Sequence, residues 1–282
     1  MTERAGPTPG TWGAGLSFDE AARWAELYRP AHRQITDVLL EGAELRPGLR
    51  VLDEACGQGT PALAEAERVG PTGSVVGVDI SLPAIELARR FAERDGVGNV
   101  RFQAGDATDL PFPDRTFDRV TSRFGPMFFG DLERAAREAH RVMVPGGRVA
   151  WLVWGRPDRV DFFRATVEVV QRHAGLTALP ETARQVFRFA EGDLLRDTLR
   201  NAGFSAVELS DHRVPQVWNA PPETVADHFW EYPAPPFKAM ISGLTSTARS
   251  SAVRETVEAF RAASRGGQVH LVAEVRLVRG TA

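Results

Sequence analysis

The chain has 282 residues and a formal charge of −3, so it suits one large α/β domain, alone or with a lid, and lacks the basic footprint of a nucleic-acid partner. Its single cysteine, Cys56, rules out an intramolecular disulfide framework and fits a reducing, cytoplasmic compartment. No stretch approaches the ~20 apolar residues that cross a bilayer.

Residues 1–16 are rich in Gly, Pro and Thr and are expected to be flexible. Ser17-Phe-Asp-Glu20 forms a capping box, opening a helix with Phe18, Ala21, Ala22, Trp24, Ala25 and Tyr28 on its apolar side. A second helix runs from about His32 to Glu41. A short apolar strand, Leu49 to Leu52, then enters Asp53-Glu-Ala-Cys-Gly-Gln-Gly59, and a helical pattern opens at Thr60. Gly57 and Gly59 lack a Cβ, so the backbone can turn sharply against a ligand that the N–H groups of the helix start also face. Strand Ser74 to Val78 ends in Asp79, placed to accept hydrogen bonds from both hydroxyls of a ribose.

Ser81 caps a helix with Leu82, Ile85, Ala88, Phe91 and Ala92 on one face, ending near Asp95-Gly96. The third strand, Val100 to Ala104, delivers Gly105-Asp106-Ala107, and the fourth spans Phe117 to Ser122. The segment Arg123-Phe-Gly-Pro-Met-Phe-Phe129 follows at the carboxyl end of the sheet, where ligands sit. It puts Arg123, Phe124, Met127 and Phe128 between cofactor and substrate, with core packing the alternative for two or three of them. A helix over Leu132 to Val142 leads to a fifth strand, Val149 to Trp154; a sixth covers Ala206 to Val214, and Gln268 to Val278 alternates as the last. Strands alternating with helices imply a parallel sheet covered on both faces.

The connection 215–265 before the last strand is long enough to suggest a helical cap over the acceptor, with a dimerisation surface as the alternative. Trp230 and Tyr232 there are candidate acceptor contacts. His228 is the candidate general base, since one helix face could present it with Glu231; a surface role is the alternative. No His/Cys/Asp/Glu cluster has metal-binding spacing.

Gly57-x-Gly59-x-x-Ala62 also fits the dinucleotide fingerprint. Asp53 and Glu54, however, put carboxylates where a pyrophosphate would sit, and like charges at that range repel by more than about 1 kcal/mol. A ligand with a cationic end suits them, and S-adenosylmethionine, with a sulfonium and an ammonium, has that character.

Val51-Leu-Asp-Glu-Ala-Cys-Gly-Gln-Gly59, Val75-Val-Gly-Val-Asp79, Gly105-Asp-Ala107, Leu110 to Asp118 and Arg141-Val-Met-Val-Pro-Gly-Gly147 resemble the successive motifs of class I S-adenosylmethionine-dependent methyltransferases. The style is that of the small-molecule branch containing ubiquinone/menaquinone-type and natural-product enzymes. The resemblance implies a Rossmann-like, mostly parallel seven-stranded sheet with an antiparallel last strand. It divides the chain into a helical lid at 17–48, a core at 49–214 and 266–282, and the cap. Trp12, Trp24 and Tyr28 become candidate lid contacts, Tyr28 also touching the acceptor. It also implies a cofactor site of Asp53, Glu54, Ala55, Cys56, Gly57, Gly59, Asp79, Ile80, Gly105, Asp106, Ala107 and Arg123, with Asp106 and the Ala107 N–H meeting the adenine. Ala55 replaces a glycine usual in the family; a tighter fit without loss of binding is expected if its φ is negative.

The expected activity is methyl transfer to a small apolar or aromatic acceptor, on carbon or oxygen, by a chain that could also be a homodimer. A cofactor-binding subunit without turnover and a nicotinamide oxidoreductase are the alternatives. Methylation could also trigger rearrangement or cyclisation of the acceptor.

Overall fold

The computed structural model describes residues 14–282; Trp12 lies outside them. Ser17 and Glu20 make the capping box reciprocally, the Glu20 N–H donating to Ser17 Oγ and the Ser17 N–H to Glu20 Oε2. They start α1 (Phe18–Ala31), and α2 (Arg33–Gly42) follows. The central region alternates β1 (Arg50–Glu54), α3 (Ala62–Val69), β2 (Ser74–Asp79), α4 (Leu82–Asp95), β3 (Val100–Ala104), β4 (Phe117–Arg123), α5 (Leu132–Val142) and β5 (Met143–Trp154). Four helices, α6 (Asp161–Ala165), α7 (Val167–His173), α8 (Glu181–Arg184) and α9 (Leu194–Asn201), lead to β6 (Ser205–Trp218). The connection then folds as α10 (Pro222–Glu231), α11 (Pro235–Ser242) and α12 (Ser246–Ala262) before β7 (Ser264–Arg265) and β8 (Gln268–Thr281).

The strand order is β3-β2-β1-β4-β5-β8-β6, with two-residue β7 hooked onto β8. The first five strands run parallel, and β8 lies antiparallel between β5 and β6. The chain runs outward from β1 to β2 to β3 and then returns to β4 on the other side of β1, which puts the switch point beside β1. The expected seven-stranded, mostly parallel sheet is therefore present, with β7 added. Residues Val149 to Val153 have no exposure, so β5 is a central strand buried on both faces.

Strand β6 extends four residues past the expected end at Val214. Pro215 reads as a terminator in the sequence, but β6 is the sheet edge, where proline is tolerated. The extension keeps the two-residue rhythm, so Val214, Gln216 and Trp218 all point inward and are buried. The helical connection accordingly starts beyond Trp218.

Glycines fit β1 and β2 together beneath the turn after β1. A Cβ at Gly77 would meet a Phe102 ring carbon at 2.6 Å and Cys56 Sγ at 2.9 Å. We therefore expect Gly77→Ala to destabilise the fold by about 1–3 kcal/mol, read as a lower denaturation midpoint; an unchanged midpoint would show that Phe102 relaxes freely.

Candidate active site

The turn after β1 is held from β2. Asp79 accepts the Gly57 N–H at 2.9 Å through one carboxylate oxygen and the Ser81 N–H at 2.8 Å through the other. One side chain thus ties the glycine turn to the start of α4. Gly57 has φ +54 and a Cβ there would meet nothing within 4 Å, so the backbone borders open space. Gly59 has φ +87, and a Cβ would press on Phe102 at 3.1 Å. Beyond Asp79, Ile80 and Leu82 are 50% and 66% exposed, an uncovered apolar ledge at the carboxyl end of β2. Asp106 uses Oδ1 in a turn, accepting the Thr108 N–H and hydroxyl at 2.8 Å each. Ala107 is buried, and Gly105 sits over Val78 and Pro111.

Ala55 has φ +55, against the negative φ on which the expected tight fit depended. An L-residue there costs roughly 1–2 kcal/mol. Phe124, at φ +68, is a second bulky residue held in this region, beside a Gly125 whose Cβ would meet Ser122 Oγ at 2.4 Å and Ala55 Cβ at 2.7 Å. Such paired strain is typical of ligand-facing turns. Cys56 is buried against Gly77, and burial pushes its thiol pKa up, so it packs and does not react.

The two carboxylates at the end of β1 take opposite faces of the sheet, because successive strand side chains alternate. Asp53 lies on the α3 side, fully buried, with no well-aligned hydrogen bond; burial and then the nearby Glu65 push its pKa well up, opposed by Arg123 and by the Ala62 backbone N–H at the start of α3. Glu54 lies on the other side, also fully buried, accepting the Trp151 indole N–H at 2.9 Å. The two carboxylates expected to face one cationic group therefore do not stand on the same face, and Glu54 is held in the core against β5.

Arg123 joins the parts. Its guanidinium donates to Thr36 Oγ1 on α2 at 2.7 Å and to the Thr60 carbonyl in the glycine turn at 3.0 Å. It draws down the pKa values of Asp53 and Glu65. Its Cζ stands 5.7 Å from both the Tyr28 and Phe124 rings. Glu65 accepts the Thr121 hydroxyl at 2.7 Å, yet burial pushes its pKa up to about 7.

From Arg123 a chain of rings leads outward. Phe124 stacks on Trp154 at 4.1 Å, Trp154 meets His32 at 6.1 Å, His32 meets Trp218 at 5.6 Å, and Trp218 meets His228 at 5.6 Å. Tyr28 stacks on His32 at 3.8 Å, and Trp24 closes the group against His228 at 5.1 Å and Tyr232 at 5.0 Å. The rings come from α1, the α1–α2 junction, the end of β4, β5, β6 and the end of α10. Four polar atoms among them are buried without a partner: Trp24 Nε1, Gln216 Oε1, Trp218 Nε1 and His228 Nδ1. Each such atom left without a partner costs roughly 1–3 kcal/mol.

The expected pairing of His228 with Glu231 is not formed. Glu231 is exposed and approaches Arg23 at 3.8 Å, whereas His228 faces inward and burial pulls its pKa down to about 4. Tyr232 donates to Glu20 Oε1 at 2.8 Å, latching the end of α10 to the start of α1. Met127 is wholly buried, Phe128 is half-buried, and Trp230 packs on Phe229 beneath Arg249. Of the acceptor-side candidates, Tyr28 and Phe124 join the ring chain, Tyr232 stands at its Trp24 end, and Met127 and Trp230 serve packing. His32, Trp154, Gln216 and Trp218 were missed; the period-two rhythm running through Pro215 was the available signal for the last two. Among the described residues no His, Cys, Asp or Glu group is placed to hold a metal.

Residues 51–147 match the family model described as "Methyltransferase domain". The chain is 32% identical over 209 residues to the demethylmenaquinone methyltransferase of Geobacillus kaustophilus, covering 70% of this chain and 83% of that protein. It is 32% identical over 200 residues to the nocamycin O-methyltransferase of Saccharothrix syringae, covering 66% and 68%. The chain belongs to the class I S-adenosylmethionine-dependent methyltransferases. The structure of the YcgJ protein of Bacillus subtilis superposes with a TM-score of 0.57 at 24% identity, covering 89% of this chain and 98% of that one, which shows the shared fold. The enzyme uses S-adenosylmethionine to methylate a small acceptor, and neither a nicotinamide enzyme nor a subunit without turnover is supported. No helix among the described residues is long and apolar enough to cross a membrane.

Two outcomes follow from this geometry. Relief of the left-handed strain in Ala55→Gly should raise the unfolding midpoint by roughly 2–4 °C without weakening cofactor binding; a lower midpoint would show that the Ala55 Cβ packs favourably. Glu65 has a folded-state pKa of about 7 against an ordinary 4.5. Its contribution is full at low pH and fades as pH rises through about 7, because the folded state binds the extra proton between those values. Glu65→Gln should flatten that part of the decline in melting temperature, and an unaltered profile would contradict a raised pKa.

Proposed function

We propose that the cofactor lies along the glycine turn and that a flat aromatic or enolic acceptor enters the ring-lined space beneath α1 and α10. The observation that carries this is the group of four unpartnered buried polar atoms among aromatic rings, in a ring chain that Arg123 joins to the turn through Tyr28, Phe124 and the Thr60 carbonyl. Relatives named demethylmenaquinone methyltransferase and nocamycin O-methyltransferase support a quinone-type ring or an oxygen-bearing acceptor.

The residues fit the cofactor. Gly57 borders open space, Asp79 stands at the end of β2 for the ribose, and Ile80 offers an apolar face to the adenine beside Asp106 and Ala107. The buried Asp53 carboxyl lies in the β1 end for a cationic group. When bound, S-adenosylmethionine supplies a methyl group on a sulfonium, ready for in-line displacement. The chain's own contribution is mainly position: rings hold the acceptor flat, and α1 with α10 excludes water. His228, neutral at physiological pH, accepts a hydrogen bond from the reacting hydroxyl of an acceptor that carries two, and keeps its oxygen rich in electron density.

Three readouts test this. With labelled S-adenosylmethionine, hydroxyarenes and hydroquinones should gain methyl label while aliphatic amines and carboxylic acids do not; label confined to the latter would sink the acceptor reading. Trp218→Ala should slow methyl transfer by at least about ten-fold with S-adenosylhomocysteine affinity preserved, whereas Asp79→Asn should weaken that affinity by about ten-fold or more. The rate should also show no ionisation of His228 between about pH 5 and about pH 9, since its titration lies below that range.

A further inference from the structure

We infer that Gln216 orients the acceptor by taking a hydrogen bond from a hydroxyl that the acceptor carries, and that His32 sets the amide for this task. The inference rests on the ring-lined space being the acceptor site.

His32 Nδ1 lies 3.1 Å from the Tyr28 carbonyl oxygen. A carbonyl only accepts, so Nδ1 carries the hydrogen. The ring is 4% exposed, and burial together with the charge of Arg123 pulls its pKa well down, so it is neutral and Nε2 is a bare lone pair. The Gln216 amide nitrogen lies 3.2 Å from that lone pair. Only the amide N–H can donate to it, which turns Gln216 Oε1 the other way. Oε1 is buried with no partner, on a residue 1% exposed. The amide orientation is therefore set from behind by a ring whose tautomer is set in turn by α1.

What faces Oε1 must be a donor. The Trp24 and Trp218 indole N–H groups of the same ring group also lack acceptors, so an oxygen that both donates and accepts suits this set of atoms better than one that only accepts. A hydroxyl is such an oxygen. A quinone carbonyl, an ether or a carboxylate brings only lone pairs, leaves Oε1 facing another oxygen, and is disfavoured. Gln216 thereby selects the hydroxylated form of a flat acceptor over its oxidised or already O-methylated form. His32 is a positioning residue acting through Gln216.

The test is calorimetric titration of the chain, saturated with S-adenosylhomocysteine, using 1-naphthol and 1-methoxynaphthalene as probes. Both have the same ring and an oxygen acceptor, and only naphthol has a donor. The wild type should bind naphthol about ten-fold more tightly, in line with one hydrogen bond to a buried amide oxygen. In Gln216→Leu the ratio should collapse to about one, with methoxynaphthalene affinity retained. In His32→Phe, which keeps a ring against Tyr28 but frees the amide, the ratio should fall part of the way. A thermal shift with S-adenosylhomocysteine reports whether each variant is folded, and Gln216→Met replaces the leucine variant if it is not. Equal affinities in the wild type, or a ratio that survives loss of Gln216, overturns the inference while leaving the acceptor site standing. Failure of both probes to bind the wild type removes the acceptor-site reading, and this inference with it.

Discussion

Arg123 is the constraint on which the rest of the site depends. Two fully buried carboxyl groups, Asp53 and Glu65, stand on one face of the sheet, and an isolated buried charge is too costly to persist. Arg123 is the cation among them. Because its two terminal nitrogens donate to Thr36 and to the Thr60 carbonyl, the same guanidinium fixes α2 and the glycine turn relative to β4. Its face also meets Tyr28 and Phe124, where the ring chain begins. The glycine turn and the ring chain are thus registered to each other through one side chain, as the proposed in-line transfer requires.

The outer wall of the site joins the two ends of the chain. Helix α1 precedes the sheet and α10 follows β6, yet Trp24 packs on His228 and Tyr232 donates to Glu20. Glu20 already closes the capping box with Ser17, and these bonds lower its pKa to about 2. The same carboxylate therefore starts the first helix and fastens the cap to it. Aromatic surfaces supply most of the contact there, and several of their polar atoms have no partner within the fold.

Much of this architecture was legible in the sequence because it rests on local rules. Glycines one residue apart after an apolar strand, an acid at the end of the next strand, and a capping box each follow from backbone chemistry over a few residues. The strand order and the antiparallel last strand were available only through family resemblance. What escaped depends on context that no local pattern carries. Ala55 took a positive φ because the turn demands it, although nothing in its side chain favours one. Glu54 went to the core because alternation along β1 turned it toward Trp151. Gln216 and Trp218 were hidden behind Pro215, whose effect depends on whether its strand is central or at the edge. His228 was a candidate for the wrong neighbour, since helix periodicity alone does not say which face meets α1.

The central claim, a sulfonium cofactor held at the turn after β1, is tested most directly by calorimetric titration with S-adenosylhomocysteine and, in parallel, with NADH. The account predicts binding of S-adenosylhomocysteine at one site per chain and no heat of binding with NADH. Binding of NADH without S-adenosylhomocysteine would contradict it, because the buried carboxyl of Asp53 would then have to tolerate a pyrophosphate beside it.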